Sequence, residues 1–132
     1  MLGIIGAMDE EVLKIKEHME QVTVETYAGM EFHRGMLNGK ELVVVRSGIG
    51  KVNAGICSQI LVDKFGVEGI VNTGVAGSLK NEINIGDIVL SSDAVQHDMD
   101  ATGFGDPYGQ IPRMDTFSFK ASEKLIGLAK EC

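Results

Sequence analysis

The chain has 132 residues, 44% of them apolar, and a net charge of −7 from 19 acids and 12 bases. That suffices for one domain with a core, excludes a disordered segment, and, without a basic stripe, excludes nucleic acid or an anionic membrane as the main partner. The apolar runs are far shorter than the roughly 20 residues of a membrane-spanning helix, and the N-terminus lacks the basic and long apolar regions of a signal peptide.

Cys57 falls in a helical pattern and Cys132 is the last residue. Two such cysteines make no disulfide framework, which fits a reducing cytoplasm. His18, His33 and His97 show no metal-ligand spacing. Glycine is abundant, 17 residues against about 7% in an average chain. The glycines sit at element ends, which suggests tight strand-to-helix turns.

Residues 2–5 (LGII) read as a buried strand, closed by a turn at Gly6 and Ala7. Residues 9–21 read as a helix with Met8, Val12, Ile15 and Met19 along one face, at spacings of three and four. Residues 30–46 read as a hairpin turning at Asn38-Gly39, a pair suited to two successive positive φ angles. SGIGKVNAG then leads into a helix over 51–65. Its apolar positions Val52, Ile56, Ile60, Leu61 and Phe65 cover most of the circumference, which predicts a buried helix. Residues 68–73 and 86–95 read as further strands, and 96–117 as a long loop. A last helix is capped by Ser118 or Ser122, with a stripe of Ala121, Leu125, Leu128, Ala129 and Cys132.

Strands alternating with helices predict an α/β domain with a mostly parallel or mixed sheet flanked by helices, one domain over 1–132 with no linker. The final stripe runs to the last residue without a stop signal, so the domain reads as incomplete at its C-terminus. Ligands of such sheets bind beyond the carboxyl ends of the strands. The loops 6–11, 47–51 and 73–78 lie there by this reading. Asp9, Glu10 and Glu11 open the first helix, where negative charge is favoured in any case. At about 100° per residue, Glu10 points away from the apolar stripe, while Glu11 borders it and leans over the strand end. Glu11 is therefore the candidate carboxylate, and Asp9 and Glu10 read as surface charge.

SGIGKVNAG satisfies neither phosphate-loop pattern. Val45 stands where the first Walker glycine belongs, Val52 follows the lysine, and Asn53 replaces the third dinucleotide-loop glycine. NTGVAGS reads either as close backbone approach to a ligand, allowed by Gly74 and Gly77, or as a tight turn. His97 with Asp98 and Asp100 lacks a second ligand cluster, and no metal is expected. The apolar residues of the 97–112 loop suit contact with a partner subunit.

Taken together, IIGAMDEEV, SGIGKVNA, NTGVAGSL, GDIVLSSDAVQHDMDATGFG and YGQIP resemble, in order and spacing, bacterial 5'-methylthioadenosine/S-adenosylhomocysteine nucleosidases of the purine nucleoside phosphorylase-like fold. The resemblance covers Leu2 to Cys132. It implies hydrolysis of the N-glycosidic bond of a thioadenosine, giving adenine and a thioribose, with Glu11 activating the attacking water. It also implies Met8 near the ribose, Val75, Ala76 and Gly77 along the sugar and base, and Ile49 beside the alkylthio group. Ala101, Phe104 and Pro112 would reach the neighbouring subunit's pocket in a homodimer. No cofactor is implied.

Val75 replaces a serine common in the family, and Asp106 replaces an aromatic of some members. The family's purine-binding segment, ribose-binding Met-Glu segment and catalytic aspartate all fall beyond the equivalent of Cys132, so the isolated chain is expected to be inactive. Three other readings remain open. One is a nucleosidase of the same fold acting on futalosine or AMP. Another is a non-catalytic dimerising module. The third, phosphorolysis, is disfavoured because Asn72 and Val75 offer phosphate no cation.

Overall fold

The computed structural model describes residues 1–131; the expectations for Cys132 lie outside the described residues. The chain forms two compact units, Met1–Gly77 and Ser78–Cys132.

The first unit contains β1 (Leu2–Gly6), α1 (Asp9–Glu17), β2 (Glu20–Tyr27), β3 (Met30–Leu37), β4 (Lys40–Arg46), α2 (Lys51–Phe65) and β5 (Gly69–Asn72). The five strands make one mixed sheet in the order β2-β3-β4-β1-β5. β1 runs parallel to β4 and β5, while β2, β3 and β4 form an antiparallel meander. The β3–β4 turn is the expected Asn38-Gly39 pair, at φ of 49° and 74°.

The apolar run of β4 is continuous because both faces of that strand are buried, as in a parallel sheet covered on two sides. Val43 and Val45 join Ile5, Phe32, Cys57, Leu61 and Phe65 in one core cluster. Leu42 and Val44 join Val12 and Met19 in the other. Phe32 stacks on Phe65 with ring centres 5.2 Å apart, and Tyr27 meets both edge-on. Such ring pairs add about 0.5–1.5 kcal/mol beyond the burial itself.

Two expectations for this unit are corrected. The first helix ends at Glu17, capped by His18, rather than at residue 21. Glu20–Tyr27 is instead a strand paired with β3. Its turn, Ala28-Gly29, takes φ of 50° and 75°, the hairpin geometry without the Asn-Gly signature. Met19 still reaches the core that its helical spacing implied, from the turn after α1. The second correction concerns α2, which is buried on one side only. Cys57, Leu61 and Phe65 face the sheet, whereas Val52 is 76% exposed and Val62 50%.

The second unit contains β6 (Asp93–Ala94), a 3-10 turn at Thr102–Phe104, β7 (Phe119–Lys120) and α3 (Glu123–Lys130). β6 and β7 pair antiparallel. The strand expected over 86–95 shrinks to Asp93–Ala94. Apolar content alone does not make a strand; a ladder partner is required, and among the described residues Ile88, Val89 and Leu90 have none and are exposed. Ser122 caps α3, its Oγ accepting from the Leu125 amide at 3.3 Å. Of the expected stripe, Leu125 is half-buried while Leu128 and Ala129 are exposed. No helix among the described residues is long and apolar enough to cross a membrane.

Candidate active site

The register of the parallel strands brings three ends together. Gly6 pairs with Arg46, and Ile5 pairs with Asn72. The ladder continues one step into the loops: the Ser47 amide donates to the Gly6 carbonyl and the Thr73 amide to the Ile5 carbonyl, each at 2.9 Å. Ser47 is buried at this junction, its hydroxyl donating to the Gly48 carbonyl at 2.9 Å. The loops 6–11, 47–51 and 73–78 therefore do leave the same edge of the sheet.

Glu11 sits at the third position of α1, where a carboxylate can reach back to the open amides of the first turn. Its Oε2 accepts from the Ala7 amide at 2.7 Å and from the Met8 amide at 3.0 Å. Its Oε1 accepts from the Val75 amide, 64 residues away, at 3.0 Å. One carboxylate thus caps α1 and ties the loop after β1 to the loop after β5. The hydrogen bonds from Val75 and Met8 hold the Glu11 carboxyl below the ordinary carboxylate range; desolvation pulls the other way, and the bond from Ala7 adds a smaller lowering. A carboxylate has about four lone-pair sites, so three amides leave room for roughly one more donor, such as water.

Glycine makes this arrangement possible. A Cβ on Gly6 would lie 2.7 Å from Val12 Cγ1 and 2.9 Å from Glu11 Cβ. A Cβ on Gly74 would overlap Glu11 Oε1 and lie 2.6 Å from Cδ. The space that Gly74 leaves at the strand end is therefore filled from within the chain, by Glu11.

Met8, Glu11 and Val75 are in direct contact through these bonds. Asp9 and Glu10 are exposed, as helix phase implies, and Asp9 pairs with Arg46 at 3.2 Å. Arg46, which sequence reasoning missed, ends β4 beside Gly6; its position after LVVV was the available signal. Ile49 is 75% exposed in the loop after β4, and Val75 is 82% exposed. Ala76 and Gly77 follow it, also exposed. Gly48 and Gly50 take φ of 83° and 103°, and Gly50 caps α2, so SGIGK serves as a turn into a helix.

In the second unit Ala101 is buried and precedes the 3-10 turn, Phe104 is 94% exposed, and Pro112 is exposed. Asp100 shapes this loop by accepting from the Thr102 amide at 3.1 Å and hydroxyl at 2.6 Å. Among the described residues no group of three or more His, Cys, Asp or Glu side chains is placed to hold a metal.

The model of the phosphorylase superfamily matches residues 1–132. A 5'-methylthioadenosine/S-adenosylhomocysteine nucleosidase of Bacillus cereus is 45% identical over 99% of this chain and 56% of its own length. A crystal structure of such a nucleosidase from Colwellia psychrerythraea, in complex with adenine, superposes with a TM-score of 0.94 at 43% identity, covering 98% of this chain and 53% of that one. The futalosine hydrolase of Helicobacter pylori superposes at 0.92 with 37% identity, covering 98% and 56%. The chain thus spans about half the length of the relatives it matches. It belongs to the phosphorylase superfamily.

Proposed function

We propose that this chain is the N-terminal part of a nucleosidase domain that hydrolyses the N-glycosidic bond of 5'-methylthioadenosine and S-adenosylhomocysteine. The observation that carries the reading is the Glu11 carboxylate, held by three amides at the meeting point of two strand ends, with capacity for one further donor. Nucleosidases of Bacillus cereus and Colwellia psychrerythraea are among the relatives that share this half of the fold.

Glu11 stays ionised through the neutral range because its amide partners favour the charged form. It is a weak base for that reason. Its contribution is to orient a water molecule, accept its proton as the C–O bond forms, and stabilise positive charge developing on the sugar. Met8 and the backbone of Val75, Ala76 and Gly77 border the sugar and base, and Ile49 borders the alkylthio group. Arg46 is already paired with Asp9, and three acids crowd the first turn, so water is favoured over phosphate as nucleophile. The purine-side acid is supplied from outside these 132 residues. Phe104, with Ala101 and Pro112 in its loop, meets the partner subunit of a homodimer.

The test is adenine release from 5'-methylthioadenosine, with and without phosphate, by the 132-residue chain and by a longer protein that contains it. The longer protein is expected to release adenine at a rate phosphate does not raise, and the short chain to be inactive. Activity on futalosine but not on 5'-methylthioadenosine would move the reading to the other nucleosidase among the structural relatives. Robust turnover by the short chain would contradict the external acid.

A further inference from the structure

We propose that Gly74 is a positioning residue for Glu11: by carrying no side chain, it lets the carboxylate cross from the β1–α1 loop to the Val75 amide. This rests on the reading of Glu11 as the water-activating group and adds the feature that sets its orientation.

The three heavy atoms nearest a Cβ at position 74 are Glu11 Oε1, Cδ and Oε2, the latter two at 2.6 and 3.1 Å. No core side chain is among them, and Gly74 itself is exposed. A methyl group there would thus strike the carboxylate before any core side chain. Gly6 differs, because its Cβ would also strike the buried Val12, so substitution there would mix a core defect with displacement of Glu11. The consequence of displacement follows from the bonds. Oε1 accepts from the Val75 amide, whereas Oε2 accepts from two amides at the α1 start. Pushing Oε1 aside would break the tie between the loops and leave Glu11 a simple helix cap. Gly74 takes φ of +157°, at the edge of the region that L side chains rarely adopt, so alanine also carries a backbone cost that the test must separate.

The separation is a double-mutant cycle on the 132-residue chain: the parent, Glu11→Ala, Gly74→Ala and the double variant, compared by thermal unfolding. Gly74→Ala is expected to lower Tm by about 4 °C or more while Glu11 is present, and by less than half of that in the Glu11→Ala background. Equal losses in both backgrounds would mean backbone strain alone and would overturn the proposal. If Gly74→Ala does not fold with Glu11 present, recovery of folding in the double variant supports the proposal, and its failure to recover overturns it. A carboxyl-detected NMR titration of Glu11 supplies a readout that strain alone does not move, and it decides by itself where a variant lacking Glu11 gives no cooperative melt or where Gly74→Ala melts like the parent. In Gly74→Ala the carboxyl should titrate higher than in the parent, because the Val75 bond is lost while the Met8 and Ala7 amides still hold it down; a value unchanged from the parent would overturn the proposal. None of these readouts uses substrate, so their failure is distinct from failure of the hydrolysis reading.

Discussion

The two units of this chain are built on different amounts of mutual support. In the first, a five-stranded sheet is packed on both faces, and Phe32, Val43, Val44, Val45, Cys57 and Leu61 are fully buried. In the second, the only strand pair among the described residues is two residues long, α3 buries no residue, and Leu79, Ile85 and Ile88 are almost fully exposed. The apolar residues of both units look alike in sequence. What separates them is whether a ladder partner and a covering helix come from within the described residues. The candidate site lies in the well-supported unit, and Glu11 is itself one of the ties that hold it.

The sharpest way to break this comparison is to cut into the core of the first unit. Phe32→Ala removes a ring stacked on Phe65 and touched by Tyr27, and should cost about 3–5 kcal/mol in urea unfolding. A cost under about 1 kcal/mol would mean that the core is looser than its burial implies. In the second unit, Ser122→Ala should cost about 0.5–2 kcal/mol of local α3 stability, read by hydrogen exchange in Glu123–Lys130, with little change in the sheet. Phe104→Ala, at a residue 94% exposed, should change unfolding by no more than about 0.5 kcal/mol.

Two further measurements sharpen the comparison through ionisable groups. Glu11 has a folded-state pKa lowered by its amide partners. Its stabilising contribution is therefore complete above the unfolded value of about 4.3 and is lost as pH falls through the folded pKa. Glu11→Gln should flatten that acid-side loss of Tm while leaving the neutral-to-alkaline side unchanged in shape. Cys57 is fully buried beneath the sheet, and burial pushes its thiol up to about 11. It should resist alkylation at pH 8 in the folded chain and react once the chain is unfolded in urea.

The legible parts of the fold were those whose signals are local. The Asn38-Gly39 turn announces its hairpin because both residues take positive φ. The two-sided burial of β4 is written in its unbroken run of apolar residues. Glu11 was separable from Asp9 and Glu10 by helix phase, because a rotation of about 100° per residue places it beside the apolar stripe. Less legible features depend on distant residues. β2 alternates weakly and turns on Ala28-Gly29, so its strand character becomes evident only beside β3. IVLSSDAV has strand-like composition, yet only Asp93 and Ala94 find a partner. The contact of Gly74 with Glu11 joins positions 63 residues apart, which no local pattern could reveal. The glycine was readable as room at a strand end; the carboxylate that fills the room was not.

The most direct measurement is kcat for adenine release from 5'-methylthioadenosine by a longer protein that contains these residues, compared with its Glu11→Gln variant. Glutamine can accept a hydrogen bond through one oxygen but cannot take the water's proton. A fall in kcat of about 10²–10⁴-fold in a variant that is still folded at the assay temperature, with a Tm lowered by the loss of at least one amide bond to the side chain, is the result this account predicts. An unchanged kcat in the folded variant would contradict it, and would leave Glu11 as a helix cap and loop tie alone.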